Sequence, residues 1–195
     1  MFSTPLPYEP PEWRVKGDDF PIVGRRFTVD TFRRYLQWVK ANEKFLWTPT
    51  GITIHHTAAP NLAQRPNGFS EQHMLNLRSY YKDERGWKSG PHIFTDDNGI
   101  WVFTPLSRKG VHATSFNATR FGIEMLGDFD GKDFDDPRGK ASIENGQWAA
   151  AVLIKELEIS KARINFHRHD PKTDKTCPGK RIDFTDFEKA VHSKL

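Results

Sequence analysis

The chain has 195 residues, of which 36% are hydrophobic and 13% aromatic, enough for one domain with a buried core. It contains no run of about eighteen apolar residues, which excludes a membrane-spanning helix, and its single cysteine excludes an internal disulfide and suits a reducing compartment. Basic residues exceed acidic ones by 29 − 25 = 4 with no dense Lys/Arg block, so charge alone selects no polyanionic partner.

Residues 1–27 are Pro-rich and read as an extended strap over the domain. The start, MFSTPLPYEPPEWR, lacks a basic region followed by an apolar one, so no secretory signal is expected. Asp30 is placed to cap a helix over about 31–41, with Phe32, Tyr35, Leu36 and Val39 on one buried face. Residues 51–57 read as a buried strand with Ile52 and Ile54 on one face and His55 on the other. Ser70 then caps a helix that ends before Gly86, with Phe69 and Met74 as a hydrophobic staple and Leu77 and Tyr81 facing inward.

Two short strands, 92–95 and 100–104, flank the hairpin signal Asp-Asp-Asn-Gly, and 121–126 is a further apolar strand. The segment DFDGKDFDD (128–136) fails the calcium-loop pattern and is expected to be a solvated acidic loop. A long helix over about 142–160 carries Trp148, Val152, Leu153 and Leu157 on its apolar side. A strand over 162–166 follows, and Thr185 to Glu188 reads as a capping box starting a last helix with Phe187 and Val191 inside. The alternation predicts an α/β fold: one domain with a mixed central sheet covered by helices.

The chemistry gathers in two places. His55 and His56 close the strand ITIHHT, and the loop NFHRHDPKTDKTCPGK holds His167, His169 and Cys177, the only cysteine. A lone thiol beside histidines is a nucleophile or a metal ligand. Two His and one thiolate, leaving a fourth position for water, is the donor set of a catalytic zinc site. His73 and His192, on predicted helices, read as structural.

Five segments, ITIHHTA, GPHIF, GVHA followed by an Asn, FGIEMLGD and HRHDPKTDKTCPG, occur in the order seen in zinc-dependent N-acetylmuramoyl-L-alanine amidases. Over roughly residues 46–185 the chain resembles this family, which shares its fold with phage lysozyme-type amidases and peptidoglycan recognition proteins. It looks most like a phage or prophage endolysin. The resemblance implies an N-terminal arm and helix (1–45) packing on a catalytic domain (46–195). It implies one zinc ion on His55, His167 and Cys177, with His56 and His169 beside the ligands rather than among them. Lys175 matches the family lysine that faces the oxyanion.

The family's usual tyrosine is replaced by Pro91, and Glu124 matches the carboxylate that other members carry. His112 and Asn117 match the substrate-cleft segment. The implied activity is bacteriolytic hydrolysis of the bond between N-acetylmuramic acid and L-alanine in peptidoglycan or muropeptides. The expected protein is a monomer with no nucleic-acid partner, made in a bacterial cytoplasm and acting on the cell wall.

Two rival readings remain at this point. One is a non-catalytic peptidoglycan-binding module of the same fold. The other is a cysteine peptidase using Cys177 with a His as base, although a Pro-Gly after the cysteine is a poor start for the helix such a nucleophile normally opens. The first 45 residues could also carry a surface for a regulatory protein partner.

Overall fold

The computed structural model describes residues 9–13, 15 and 17–195; residues 1–8, 14 and 16 of the expected Pro-rich strap lie outside them. Six strands form one mixed sheet in the order β1-β4-β3-β5-β2-β6. These are β1 (Arg25–Phe27), β2 (Gly51–His56), β3 (Ile93–Asp96), β4 (Gly99–Val102), β5 (Arg120–Met125) and β6 (Ile164–Phe166). The pairs β1/β4 and β4/β3 are antiparallel, whereas β3/β5, β5/β2 and β2/β6 are parallel. The expected mixed α/β fold is what the chain forms.

The two faces of the sheet bury different cores. Helices α1 (Val29–Asn42), α3 (Pro137–Leu157) and α4 (Phe184–His192) enclose Ile52, Ile54, Phe121, Ile123 and Phe166 on one side. Helix α2 (Glu71–Ser79) covers the other side, where Met74 and Phe69 meet Phe94, Trp101 and Phe103. Period-two alternation decides which residue goes where. With Ile54 and Ile123 committed to the larger core, His55 and Glu124 must face α2. The register sets them side by side, His55 opposite Glu124 and Glu124 opposite Phe94.

Several local expectations are corrected. The strap contains a strand, β1, because Arg25 to Phe27 can pair with the β4 edge. Thr28, not Asp30, caps α1: its hydroxyl accepts from Thr31 N (3.2 Å) while the Thr31 hydroxyl accepts from Thr28 N (2.9 Å). Helix α3 begins five residues before Ser142, with Asp136 as cap and Pro137 at the first helical position, where its missing N–H costs nothing. Ser142 is instead buried in mid-helix, where its hydroxyl and that of Thr95 each donate to the other's carbonyl and fasten α3 to β3 (3.0 and 2.9 Å). Asp183 caps α4 by accepting from Asp186 N (2.9 Å), so Thr185 lies inside the first turn.

Nor is the acidic loop simply solvated. Asp133 is buried and accepts from Leu62 N (3.0 Å) and Asp128 N (2.9 Å). A carboxylate that accepts backbone N–H groups is worth burying. The expected helix from Ser70 also changes character: after Ser79 it continues as one π-helical turn, Tyr80–Glu84. Tyr80 and Tyr81, which open this turn, lie beside His55 and Glu124 at the carboxyl ends of β2 and β5.

His92 is a structural histidine. It is fully buried, stacks on Trp47 (4.9 Å), accepts from Gly122 N at Nδ1 (3.2 Å) and donates from Nε2 to Arg108 O (3.0 Å). Burial, with His112 nearby, pushes its pKa down from 6.5 to about 3. A depressed histidine favours the neutral form, so its contribution is whole above the unfolded pKa and is lost as pH falls from 6.5 toward 3. Urea titrations at stepped pH should show stability falling through that window. His92→Phe, which keeps the ring but cannot titrate, should be less stable at neutral pH and show a shallower slope.

Candidate metal centre and its cleft

The site lies at the carboxyl ends of the parallel strands, where open α/β sheets leave a crevice. His55 comes from β2, Glu124 from β5, and His167 from the turn directly after β6. Cys177 arrives on the following loop. The ligand atoms of His55, His167 and Cys177 all lie within 4.8 Å of one another. His55 Nδ1 is 3.1 Å from His167 Nδ1 and 3.7 Å from Cys177 Sγ. Zinc bonds of about 2.0–2.1 Å to nitrogen and 2.3 Å to sulfur, at tetrahedral angles, set such donors ~3.3 and ~3.6 Å apart. The residues fit a zinc ion.

Hydrogen bonding fixes which nitrogen of His55 is free. The Arg120 carbonyl can only accept, so His112 Nε2, 2.9 Å away, carries its proton. Burial holds His112 neutral, at about 4, so its Nδ1 is an acceptor. The 3.0 Å contact from His55 Nε2 to that atom therefore has His55 as donor. Its Nδ1 is left as a bare lone pair aimed at His167 and Cys177. Partners of this kind orient metal ligands throughout metalloproteins. Gly122 makes room for the arrangement, since a Cβ there would stand 2.5 Å from the His112 ring.

The neighbouring histidines are employed elsewhere. His56 Nδ1 accepts from Phe129 N (3.2 Å), and its backbone N–H donates to Cys177 Sγ (3.4 Å), a contact that suits a thiolate. His169 accepts from Phe166 N (3.3 Å) and stacks on Phe166. His73 lines a side chamber of the cleft.

The ligand loops are tied to one another. Arg168 donates its backbone N–H to Cys177 O (2.8 Å) and its guanidinium to the carbonyls of Thr176, Gly179 and Ile182. Asp130 accepts from Lys180 N (2.6 Å) and the Thr176 hydroxyl (2.5 Å), bracketing Cys177 from the other side. Gly179, at φ +110°, lets the loop pass close against Phe129, where a Cβ would meet backbone at 2.5 Å. Asp170 links the His167 turn to the His112 loop through Ser115 N (3.0 Å) and Ser115 Oγ (2.7 Å). Asn117 Oδ1 shapes that loop by accepting from His112 N (2.7 Å) and Ala113 N (2.8 Å).

Around these groups runs a cleft of about 590 Å³. Glu124 is 16% exposed at its floor, with Oε1 3.7 Å from His55 Nδ1. Burial raises its carboxyl to about 8, and the nearby Lys175 charge partly opposes this. Lys172, Lys175 and Lys180 are all exposed, so exposure does not separate them. Position does: Lys175 lines the central cleft, Lys172 only its His112 end, and Lys180 neither. Pro91 lines the cleft too. Sequence reading missed Tyr80, Arg85 and Trp87, which line the wall facing the metal centre. Tyr81 stacks on Trp87 (5.1 Å), and Arg85 lies over the same indole (5.3 Å). Tyr80 opens the π-helical turn and Trp87 follows it, and hydrophobic periodicity carries no signal for such a turn.

Residues 46–180 match the family model described as N-acetylmuramoyl-L-alanine amidase. The catalytic domain of XlyA is 27% identical with a TM-score of 0.57, covering 76% of this chain and 90% of that one. The endolysin amidase LysCS from Clostridium intestinale URNW has the same fold at 23% identity and a TM-score of 0.58, covering 76% and 87%. Peptidoglycan-recognition protein SC2 of Drosophila melanogaster is 24% identical over 132 residues, 66% of this chain and 67% of that protein. The chain belongs to the N-acetylmuramoyl-L-alanine amidase family. Membership supports amidase activity toward peptidoglycan in general terms.

Two outcomes follow from the site. His55→Ala, His167→Ala and Cys177→Ala should each abolish stoichiometric zinc by elemental analysis, whereas His169→Ala should retain it. Asp130→Ala should weaken zinc binding, measured by competition with a chelating dye, by roughly 10–100-fold, the usual effect of removing an outer partner. Unchanged affinity would show that Arg168 alone holds the cysteine loop.

Proposed function

We propose that the chain is a zinc-dependent hydrolase that cleaves the amide between N-acetylmuramic acid and L-alanine in peptidoglycan, in the manner of an endolysin. The observation that carries this reading is the convergence of two imidazole nitrogens and a sulfur beside a buried carboxyl in an open cleft. A zinc ion held there would supply an activated water and polarise the scissile carbonyl.

The protein's own groups do the rest. Glu124 takes the proton from the attacking water and returns it to the departing amine. Its burial, which raises the carboxyl pKa, makes it able to hold that proton near neutral pH. Pro91 offers no hydroxyl for this work, and Glu124, 3.7 Å from His55 Nδ1, is placed to do it. Lys175, two residues from a ligand, presents its ammonium to the oxygen that gains charge. His112 keeps His55 in the required tautomer, and its ring face contacts substrate. Asn117, whose oxygen is engaged by backbone, offers substrate its amide nitrogen.

A cysteine nucleophile fits less well. Burial pushes the Cys177 thiol up, the opposite of activation, and the sulfur faces two histidines and a backbone amide at once.

The deciding experiment is mass spectrometry of purified peptidoglycan digested with and without chelator. Release of peptide with a new L-alanine amino terminus, lost on chelation and restored by zinc, is the expected result. Wall binding without such release would make the chain a binding module.

Glu124→Gln should keep zinc and wall binding yet lose roughly 10²–10⁴ in rate. Normal turnover would reduce Glu124 to a structural role. Lys175→Ala should cost roughly 10²–10³ in turnover with zinc content unchanged. Lys172→Ala and Lys180→Ala serve as controls and should affect only wall binding, and that chiefly at low salt.

A further inference from the structure

The residues before position 46 precede the part of the chain that matches the amidase family, yet one stretch of them is fastened to the element that carries the cleft wall. Phe20 anchors this stretch. Its ring is fully buried in the smaller core, edge-on to Phe103 (6.0 Å), and its carbonyl accepts from Arg78 Nε (2.7 Å). Asp18, two residues earlier, accepts from Phe20 N (2.9 Å) and lies 2.8 Å from Arg78 Nη2. It also receives the Lys82 ammonium on both carboxylate oxygens, at 3.0 Å each. Asp19 adds longer pairs to Lys82 (3.2 Å) and to the more exposed Lys88 (3.5 Å). The Phe20 N–H and the Lys82 ammonium hold the Asp18 carboxyl well below the usual carboxylate range, so it stays ionised at any working pH.

The three basic residues span the aromatic wall. Arg78 precedes Tyr80 and Tyr81, Lys82 lies within the π-helical turn itself, and Lys88 follows Trp87. This part of the chain has little apolar anchorage: from Glu71 to Glu84 only Met74 is buried. A segment with few buried contacts opens locally at small cost, so ion pairs to a fixed partner weigh heavily in where it sits. Exposed pairs are worth little singly, but Arg78 is 11% and Asp18 26% exposed, and Lys82 joins them in a network.

We propose that Asp18 is a positioning residue for the cleft: by gripping Arg78 and Lys82 it sets how far the wall of Tyr80, Tyr81, Arg85 and Trp87 stands from the metal centre. Asp18 does not itself line the cleft. The proposal rests on the amidase reading only for the substrate that the wall receives, which is peptidoglycan. Loosening the grip leaves His55, His167, Cys177 and Glu124 where they are, so substrate affinity is lost and the chemical step is kept.

The test compares Asp18→Asn and Lys82→Gln with the unsubstituted zinc-loaded chain, by hydrogen–deuterium exchange and by kinetics on solubilised peptidoglycan fragments. In both variants exchange should quicken over residues 79–88 and stay unchanged in α3, with zinc content intact. KM should rise roughly tenfold, the worth of one charged hydrogen bond, while kcat stays within about twofold. The double variant should be little worse than Asp18→Asn alone, because both changes break one shared contact. Asp18→Glu, which keeps the charge, should recover part of the KM.

Unchanged exchange over 79–88 in both single variants would overturn the proposal. So would a fall in kcat at constant KM with faster exchange in α3 as well, the pattern of a chain that is merely less stable. If the unsubstituted chain binds the fragments without cleaving them, the hydrolase reading falls and calorimetry takes the place of kinetics. Binding roughly tenfold weaker in both variants would then uphold the grip, and equal binding would remove it.

Discussion

The parallel register between β2 and β5 is the constraint on which the site depends. It places His55 opposite Glu124 on the face turned away from the larger core. In a strand, a slip of one residue exchanges the two faces completely. Ile52, Ile54, Phe121 and Ile123 are fully buried against α1 and α3, so such a slip would bring histidine and carboxylate into that core. Hydrophobic burial thus enforces a polar juxtaposition that would not be stable alone. Paired carbonyls and N–H groups along the strands hold it in place.

The second half of the site has no strand to hold it. Cys177 sits in a loop, and its place is set by side chains that bond to backbone. Arg168 reaches three carbonyls, Asp130 two donors, and Asp170 crosses to the His112 loop. The interaction of His112 with Arg120 then transmits backbone geometry into the tautomer of His55. The acidic segment 128–136, polar enough to pass for surface, is part of this scaffold.

Much of the fold was legible because periodicity reports burial directly. Phe32, Tyr35, Leu36 and Val39 all reach the core, as their spacing required. The helix starts were less legible, since a run such as Thr28, Asp30 and Thr31 offers several caps and only the chain's path selects one. His55, His167 and Cys177 could be singled out by residue type and position near strand ends, and they do converge. What could not be read was which atoms they use, for the choice of Nδ1 depends on a carbonyl 65 positions away in sequence, at Arg120. The part of the aromatic wall formed by Tyr80 and Trp87 was equally hidden, because a π-helical turn breaks the pattern by which helices are recognised.

The row His55, Glu124, Phe94 crosses three adjacent strands at one level. Neighbouring strands lie about 4.8 Å apart whatever side chains they carry. The sheet is therefore a ruler, with His55 at one mark, Glu124 at the next and Phe94 at the third. Because those marks belong to backbone, side chains can be exchanged at the third without moving the first two. Substitution at the third mark can therefore reshape the side chamber while His55 and Glu124 keep their spacing.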